Sequence, residues 1–132
     1  MAYVTGHNER KRQKDAVMQC VAGGKTLLRC GPDTFAVQGV RIHLRFCSGK
    51  PKFNINPNTL RSAYELWICG SENHWYLIPI AVVRQMYEHP KAYPDRTHPG
   101  IRVVNVDPSI HRATFAAPCI SRDLQPFYRG CL

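Results

Sequence analysis

Carboxylates are scarce in this chain. Nine Asp and Glu stand against 18 Lys and Arg over 132 residues, a formal net charge of +9. A site that holds Mg²⁺ on hard oxygen ligands needs two or three carboxylates converging on one point, and few such sets can be drawn from so small a pool. Nucleotide-binding and hydrolase signatures are missing as well: there is no Walker A sequence, GxGxxG, HExxH or GxSxG. Nothing approaches the roughly 20 apolar residues of a membrane-spanning helix. Glu9, Arg10, Lys11, Arg12 and Lys14 stand where a secretory leader needs an apolar run. The expectation is a cytoplasmic protein with no membrane partner. Cysteines are present, but not in metal-binding spacing. Cys20, Cys30, Cys47, Cys69, Cys119 and Cys131 lie 10, 17, 22, 50 and 12 positions apart, with no CxxC and no closely spaced His pair. They are expected to be structural thiols, with Cys20, Cys47 and Cys69 buried among apolar neighbours.

What is abundant is positive charge, and it is uneven. Residues 1–60 hold 10 Lys and Arg against 3 Asp and Glu, whereas residues 61–132 hold 8 against 6. A basic face releases counterions when it meets phosphates, so this asymmetry favours a nucleic-acid partner over a merely soluble surface.

Length and hydrophobic content fit one domain over residues 1–132, with a core at about 9–117. Glu9–Val21 reads as a helix behind an Asn8 cap, basic at first and apolar later, stopped by Gly23-Gly24. Arg10, Lys11 and Lys14 oppose the helix dipole at its start, a local cost that points to a partner or to solubility. Thr26–Cys30, Phe35–Val37, Val40–Phe46, Phe53–Ile55, Leu66–Cys69 and Trp75–Ile80 read as strands. Gln38-Gly39 is short enough for a tight hairpin turn. A lead-in over Met1–Gly6 precedes the helix, and Thr59–Tyr64 is expected to make about one helical turn. Ala81–His89 reads as a second helix, Ile101–Val106 as a strand, and residues 118–132 as a tail containing Pro126, Phe127 and Tyr128. The order predicts an α/β (α+β) domain with a central mixed β-sheet flanked by helices. Trp75 and Tyr76 are expected to pack in the sheet in preference to stacking on bases.

The stretch Glu9–His89 resembles the PD-(D/E)XK restriction-endonuclease-like superfamily, in particular its small resolvase-like and intron-associated members. The resemblance rests on a helix, a strand, Pro32-Asp33 at a strand start, a hairpin, and a strand with alternate polar residues. A run ending in Trp75-Tyr76-Leu77-Ile78-Pro79-Ile80 and a helix complete it. It implies a restriction-endonuclease-like fold, a phosphate-facing surface and, in an active member, Mg²⁺. It places Asp33, His43 and Arg45 at the catalytic positions, with Glu9 and Asp33 as the metal ligands if the protein is active. Two of these replacements change the chemistry. His43 stands where the family has a carboxylate and is no hard-oxygen ligand. Arg45 stands where it has a lysine and keeps its proton. The resemblance therefore implies a degenerate active site, with no cofactor needed for binding.

Three readings follow. The first is a nucleic-acid-binding protein on a degenerate nuclease-like fold, DNA ahead of RNA, contacting phosphates without cleavage through Arg10, Lys11, Lys14, Arg41, Arg45, Lys50 and Lys52. The second is a small subunit, adaptor or inhibitor of a nucleic-acid-processing complex, anchored to a protein partner through residues 118–132. The third is an active Mg²⁺-dependent endonuclease whose missing acid has migrated, with Glu9 or Glu65 supplying it. The plainer readings stay open: Asp33 as a turn residue, and His43 and Arg45 as the solvent face of a half-buried strand.

Overall fold

A computed structural model describes residues 6–49 and 51–132. Lys50 and the lead-in over residues 1–5 lie outside that set. The chain opens with helix α1, Gly6–Ala22, and Gly23 and Gly24 stop it by taking positive φ (+59° and +85°). Strands β1 (Leu27–Gly31), β2 (Thr34–Val37) and β3 (Val40–Cys47) follow as an antiparallel meander. The turn at Gln38-Gly39 has positive φ at both residues, which closes a two-residue hairpin. After β4 (Lys52–Ile55) and a single 3₁₀ turn at Pro57–Thr59, β5 (Tyr64–Cys69) returns parallel to β3, and β6 (Trp75–Pro79) pairs antiparallel with β5. This completes a five-stranded mixed sheet of order β1-β2-β3-β5-β6. Strand β5, between β3 and β6, is buried along nearly its whole length, as expected of an inner strand covered on both faces.

A second sheet stands against the first. Helix α2 (Ile80–Tyr87) leads to β7 (Tyr93–Pro94), β8 (Arg102–Asp107), β9 (Arg112–Ala116) and β10 (Ile120–Asp123), and the sheet order is β10-β9-β8-β4 with β7 also on β8. Two cores result. On one face of the first sheet Phe35, Ile42, Leu44, Leu66 and Ile68 pack on Val17 and Val21 of α1. On the other, Trp67, Cys69, Tyr76 and Ile78 pack on Val83 and Met86 of α2 and on Val104, Val106 and Phe115 of the second sheet. The fold is α+β. No helix among the described residues is long and apolar enough to cross a membrane.

Several expectations need correction. A single central sheet is expected to include Phe53–Ile55, but β4 pairs with β8 in the second sheet. Both edges of β3 are already taken, by β2 and by β5, so β4 has no place beside it. Residues 118–132 are no free tail. They contribute β10, bury Leu124 completely, and run back along β6, where Arg129 N–H donates to the Trp75 carbonyl at 2.9 Å. Leu132 N–H then reaches the Val21 carbonyl at the end of α1, also at 2.9 Å. Cys69 is buried as expected and Cys47 half-buried, but Cys20 is exposed. Val17 and Val21 are four apart and face inward. Cys20 sits one residue, about 100°, off that line.

Candidate functional site

Glu65 is the one charged side chain that is fully buried among the described residues, with 0% exposure. A carboxylate taken from water costs several kcal/mol unless partners replace the solvent, so its surroundings identify a built site. The parallel register of β3 and β5 sets His43 beside Glu65 and Arg45 beside Trp67. Strand alternation sends these four side chains to the face away from α1. His43 Nδ1 lies 2.8 Å from Glu65 Oε2, Arg45 Nε donates to Oε1 at 2.6 Å, and Trp67 Nε1–H donates to Oε1 at 3.2 Å. Burial alone drives the Glu65 carboxyl upward, but the His43 hydrogen bond and the Arg45 charge outweigh it. The net position is below the ordinary glutamate value, so the group is ionised at neutral pH.

Arg45 is engaged through all three of its nitrogens. Its Nη1 donates to the Asn54 carbonyl at 2.6 Å and its Nη2 to Thr59 Oγ1 at 2.5 Å, while Thr59 Oγ1 donates to the Asn56 carbonyl at 2.9 Å. The guanidinium thus ties β3 to the β4–β5 connection, and Phe53 of β4 stacks on Trp67 at 4.8 Å between ring centroids. Arg45 thus acts as a strut between Glu65 and the β4–β5 connection, with its side chain 16% exposed.

Above this buried network lies a groove of about 420 Å³, lined by Thr34, Arg41, His43, Thr59, Arg61 and Ser62. None of the lining residues is a carboxylate. The side chains of Arg41 and Arg61 are exposed and carry no hydrogen bond or ion pair among the described residues. Their backbones are held close because Ala63 N–H donates to the Arg41 carbonyl at 2.9 Å. His43 has 18% of its side chain exposed. With Nδ1 committed to Glu65, its Nε2 has no hydrogen-bond partner among the described residues, and the side chain lines the groove. Two guanidiniums, an imidazole and hydroxyl groups make a surface suited to an oxyanion.

The proposed catalytic set does not come together. Thr34 pairs with His43 across the hairpin, which puts Asp33 opposite Leu44 on the α1 face, and Leu44 N–H donates to the Asp33 carbonyl at 2.7 Å. The Asp33 carboxylate accepts from Lys14 Nζ at 3.1 Å, on the far side of the sheet from His43 and Arg45. Glu9 is held by Arg12 at 2.5 Å, and Arg12 in turn holds Glu72 at 2.7 Å. Neither carboxylate is offered to a common point with the other, and no group of three metal-ligating side chains occurs among the described residues. The donor set does not fit Mg²⁺ in the manner the resemblance implies.

The remaining basic residues divide between two places. Arg10, Lys11 and Lys14 line a second hollow of about 280 Å³ with Asp15, Arg29 and Asp33, over a floor of Met18 and Leu44. Much of its charge is spent internally, because Lys14 pairs with Asp33 and Arg29 with Asp15 at 2.7 Å. Arg10 leans on Phe46, 5.3 Å from the ring centroid. Thr34 lines both hollows. Lys52 is exposed on β4, and Lys50 lies outside the described residues. Arg61, Thr59, Ser62 and Thr34 carry no motif signal. Glu65 does carry one, since a lone carboxylate inside the apolar run Tyr64–Cys69 must find a cation once that strand is central.

Comparison with protein-family models, with curated proteins and with solved structures finds no match to this chain.

Proposed function

We propose that this protein binds nucleic acid through the phosphodiester backbone, on a nuclease-like fold, with the groove of Arg41, His43 and Arg61 as its principal contact. One observation carries the reading. Two arginines without side-chain partners among the described residues share with an imidazole a groove lined by no carboxylate, and the Glu65 behind that imidazole is buried and balanced by Arg45. Guanidiniums that are not spent on carboxylates stay available to phosphate oxygens, which they meet in a bidentate geometry. The order of α1, β1, the Pro32-Asp33 turn and the β2–β3 hairpin supports the restriction-endonuclease-like reading of the fold. The positions of Asp33 and Glu9 favour binding without metal-dependent cleavage. The hollow of Arg10, Lys11 and Lys14, which meets the groove at Thr34, extends the basic surface round the edge of the sheet.

The test is the salt dependence of binding to labelled oligonucleotides, followed by fluorescence anisotropy. Each phosphate contact contributes about 0.9 to the slope of log K against log salt on duplex DNA. The double variant Arg41→Ala/Arg61→Ala is expected to lower that slope by roughly 2. A double variant that binds with the parent's affinity and slope sinks the assignment of the groove.

A further inference from the structure

The groove holds more than binding requires, and this rests on the reading just given. We propose that His43 is a general base for metal-free transesterification of RNA held across Arg41 and Arg61. Three observations converge. Glu65 is buried and ionised, and it holds His43 Nδ1 at 2.8 Å, which favours the Nδ1–H tautomer and leaves the Nε2 lone pair facing the groove. Glu65 is itself fixed by Arg45 and Trp67, so the imidazole is oriented by a framework and not by solvent. Beside it stand two guanidiniums with no other partner, placed where charge would build on a phosphate. Binding a phosphate needs the arginines. It does not need a buried carboxylate aligning a histidine whose second nitrogen is open.

The chemistry is self-contained. His43 Nε2 takes the proton of a ribose 2′-hydroxyl, and the 2′-oxygen forms a bond to the adjacent phosphorus. The bond from that phosphorus to the 5′-oxygen of the next nucleotide breaks, and the 5′-oxygen takes a proton from water. His43 then returns its proton to solvent. The products are a 2′,3′-cyclic phosphate and a 5′-hydroxyl, with no change of oxidation state. Arg41 and Arg61 stabilise the negative charge of the pentacoordinate phosphorane, and Glu65 stabilises the imidazolium. DNA has no 2′-hydroxyl and is bound without reaction.

The experiment uses a 5′-labelled oligonucleotide, 2′-O-methylated at every position except one internal ribose, and a fully 2′-O-methylated control, both with excess EDTA. The expected result is a cut at the single ribose that leaves a 2′,3′-cyclic phosphate, with the control bound but intact. His43→Ala, purified in parallel and assayed at saturating protein, is expected to lower the cleavage rate by about 10²–10⁴-fold. The substrate comparison needs no variant, so the outcome does not depend on His43→Ala folding. If the control binds and the ribose is not cut, or if His43→Ala cuts as fast as the parent, the proposal is overturned and the binding reading stands. If neither oligonucleotide binds, both fall.

Discussion

Arg45→Met is the most informative perturbation of the buried network, because methionine keeps much of the side chain's apolar volume and removes only the guanidinium. Glu65 then loses its one permanent cation and keeps the bonds from His43 and Trp67. Leaving a buried charge without its partner costs about 3–5 kcal/mol. The surviving His43 bond holds the loss near the lower end, while the vacated Asn54 carbonyl and Thr59 hydroxyl push it up. For a chain of this length that corresponds to a fall in Tm of roughly 10–18 °C. Urea titration followed by the fluorescence of the buried Trp67 and Trp75 measures it directly. The sign of the pH dependence adds a second check. In the parent the Glu65 pKa lies below its ordinary value, so its contribution is present above that value and lost as pH falls through the depressed one. In the variant burial is less opposed and the carboxyl moves up. The folded state then favours the protonated form, and stability is lost as pH rises. The gap between parent and variant is therefore widest at neutral pH and narrows toward pH 4. Arg45→Met/Glu65→Leu, which removes both charges, is expected to return to within about 2 kcal/mol of the parent. A single-variant loss below about 1 kcal/mol, or a gap equal at pH 4 and pH 7, refutes the reasoning.

Other consequences are simpler. Removing residues 119–132 strips β10, Leu124 and the strap along β6 from the core, so the circular-dichroism melt is expected to lose its cooperative transition; a truncated chain melting within a few degrees of the parent argues that the segment is dispensable. Asp33→Asn removes only an exposed pair with Lys14, so stability is expected to change by less than about 1 kcal/mol, with nucleic-acid affinity unchanged or slightly higher. A tenfold loss of affinity would restore Asp33 to the site. Burial, with Cys47 nearby, pushes the Cys69 thiol up to about 12. Peptide mapping after iodoacetamide at pH 8 is expected to find the exposed Cys20, Cys30, Cys119 and Cys131 alkylated and Cys69 untouched until denaturant is added.

Local signals carried much of the fold. The Gly23-Gly24 stop, the Gln38-Gly39 turn and the apolar runs of β3, β5 and β6 are each decided by residues close in sequence. Sheet membership is not. The alternation of Phe53 and Ile55 specifies a strand with one buried face, and nothing in it says that the partner is β8. The C-terminal segment misleads for a related reason, because its prolines and aromatics read as irregular while Leu124, Phe127 and Tyr128 find their core only in three dimensions. Composition places most of the net positive charge in residues 1–60, yet it cannot say that Lys14, Arg29 and Arg45 are spent on carboxylates while Arg41 and Arg61 are not.

The separation of Asp33 from His43 and Arg45 is a different case, because it was legible. A two-residue turn at Gln38-Gly39 pairs Val37 with Val40, and in an antiparallel hairpin the numbers of paired residues keep a constant sum. That sum is odd here, so Asp33 must pair with an even-numbered residue, which is Leu44. His43 and Arg45 then share a face with Thr34 and cannot share one with Asp33 unless a bulge shifts the register. No shift interrupts the pairing of β2 with β3. The motif spacing and the turn length therefore conflict within the sequence itself, and the turn prevails because it sets every pair along both strands at once. What remains on the His43 face is the chemistry that β5 brings to it. By running parallel to β3 in the register His43 to Glu65, β5 supplies the one fully buried carboxylate among the described residues. A site assembled this way depends on the pairing of two central strands and not on the Pro32-Asp33 turn, which is why its acid is Glu65 and its open nitrogen belongs to His43.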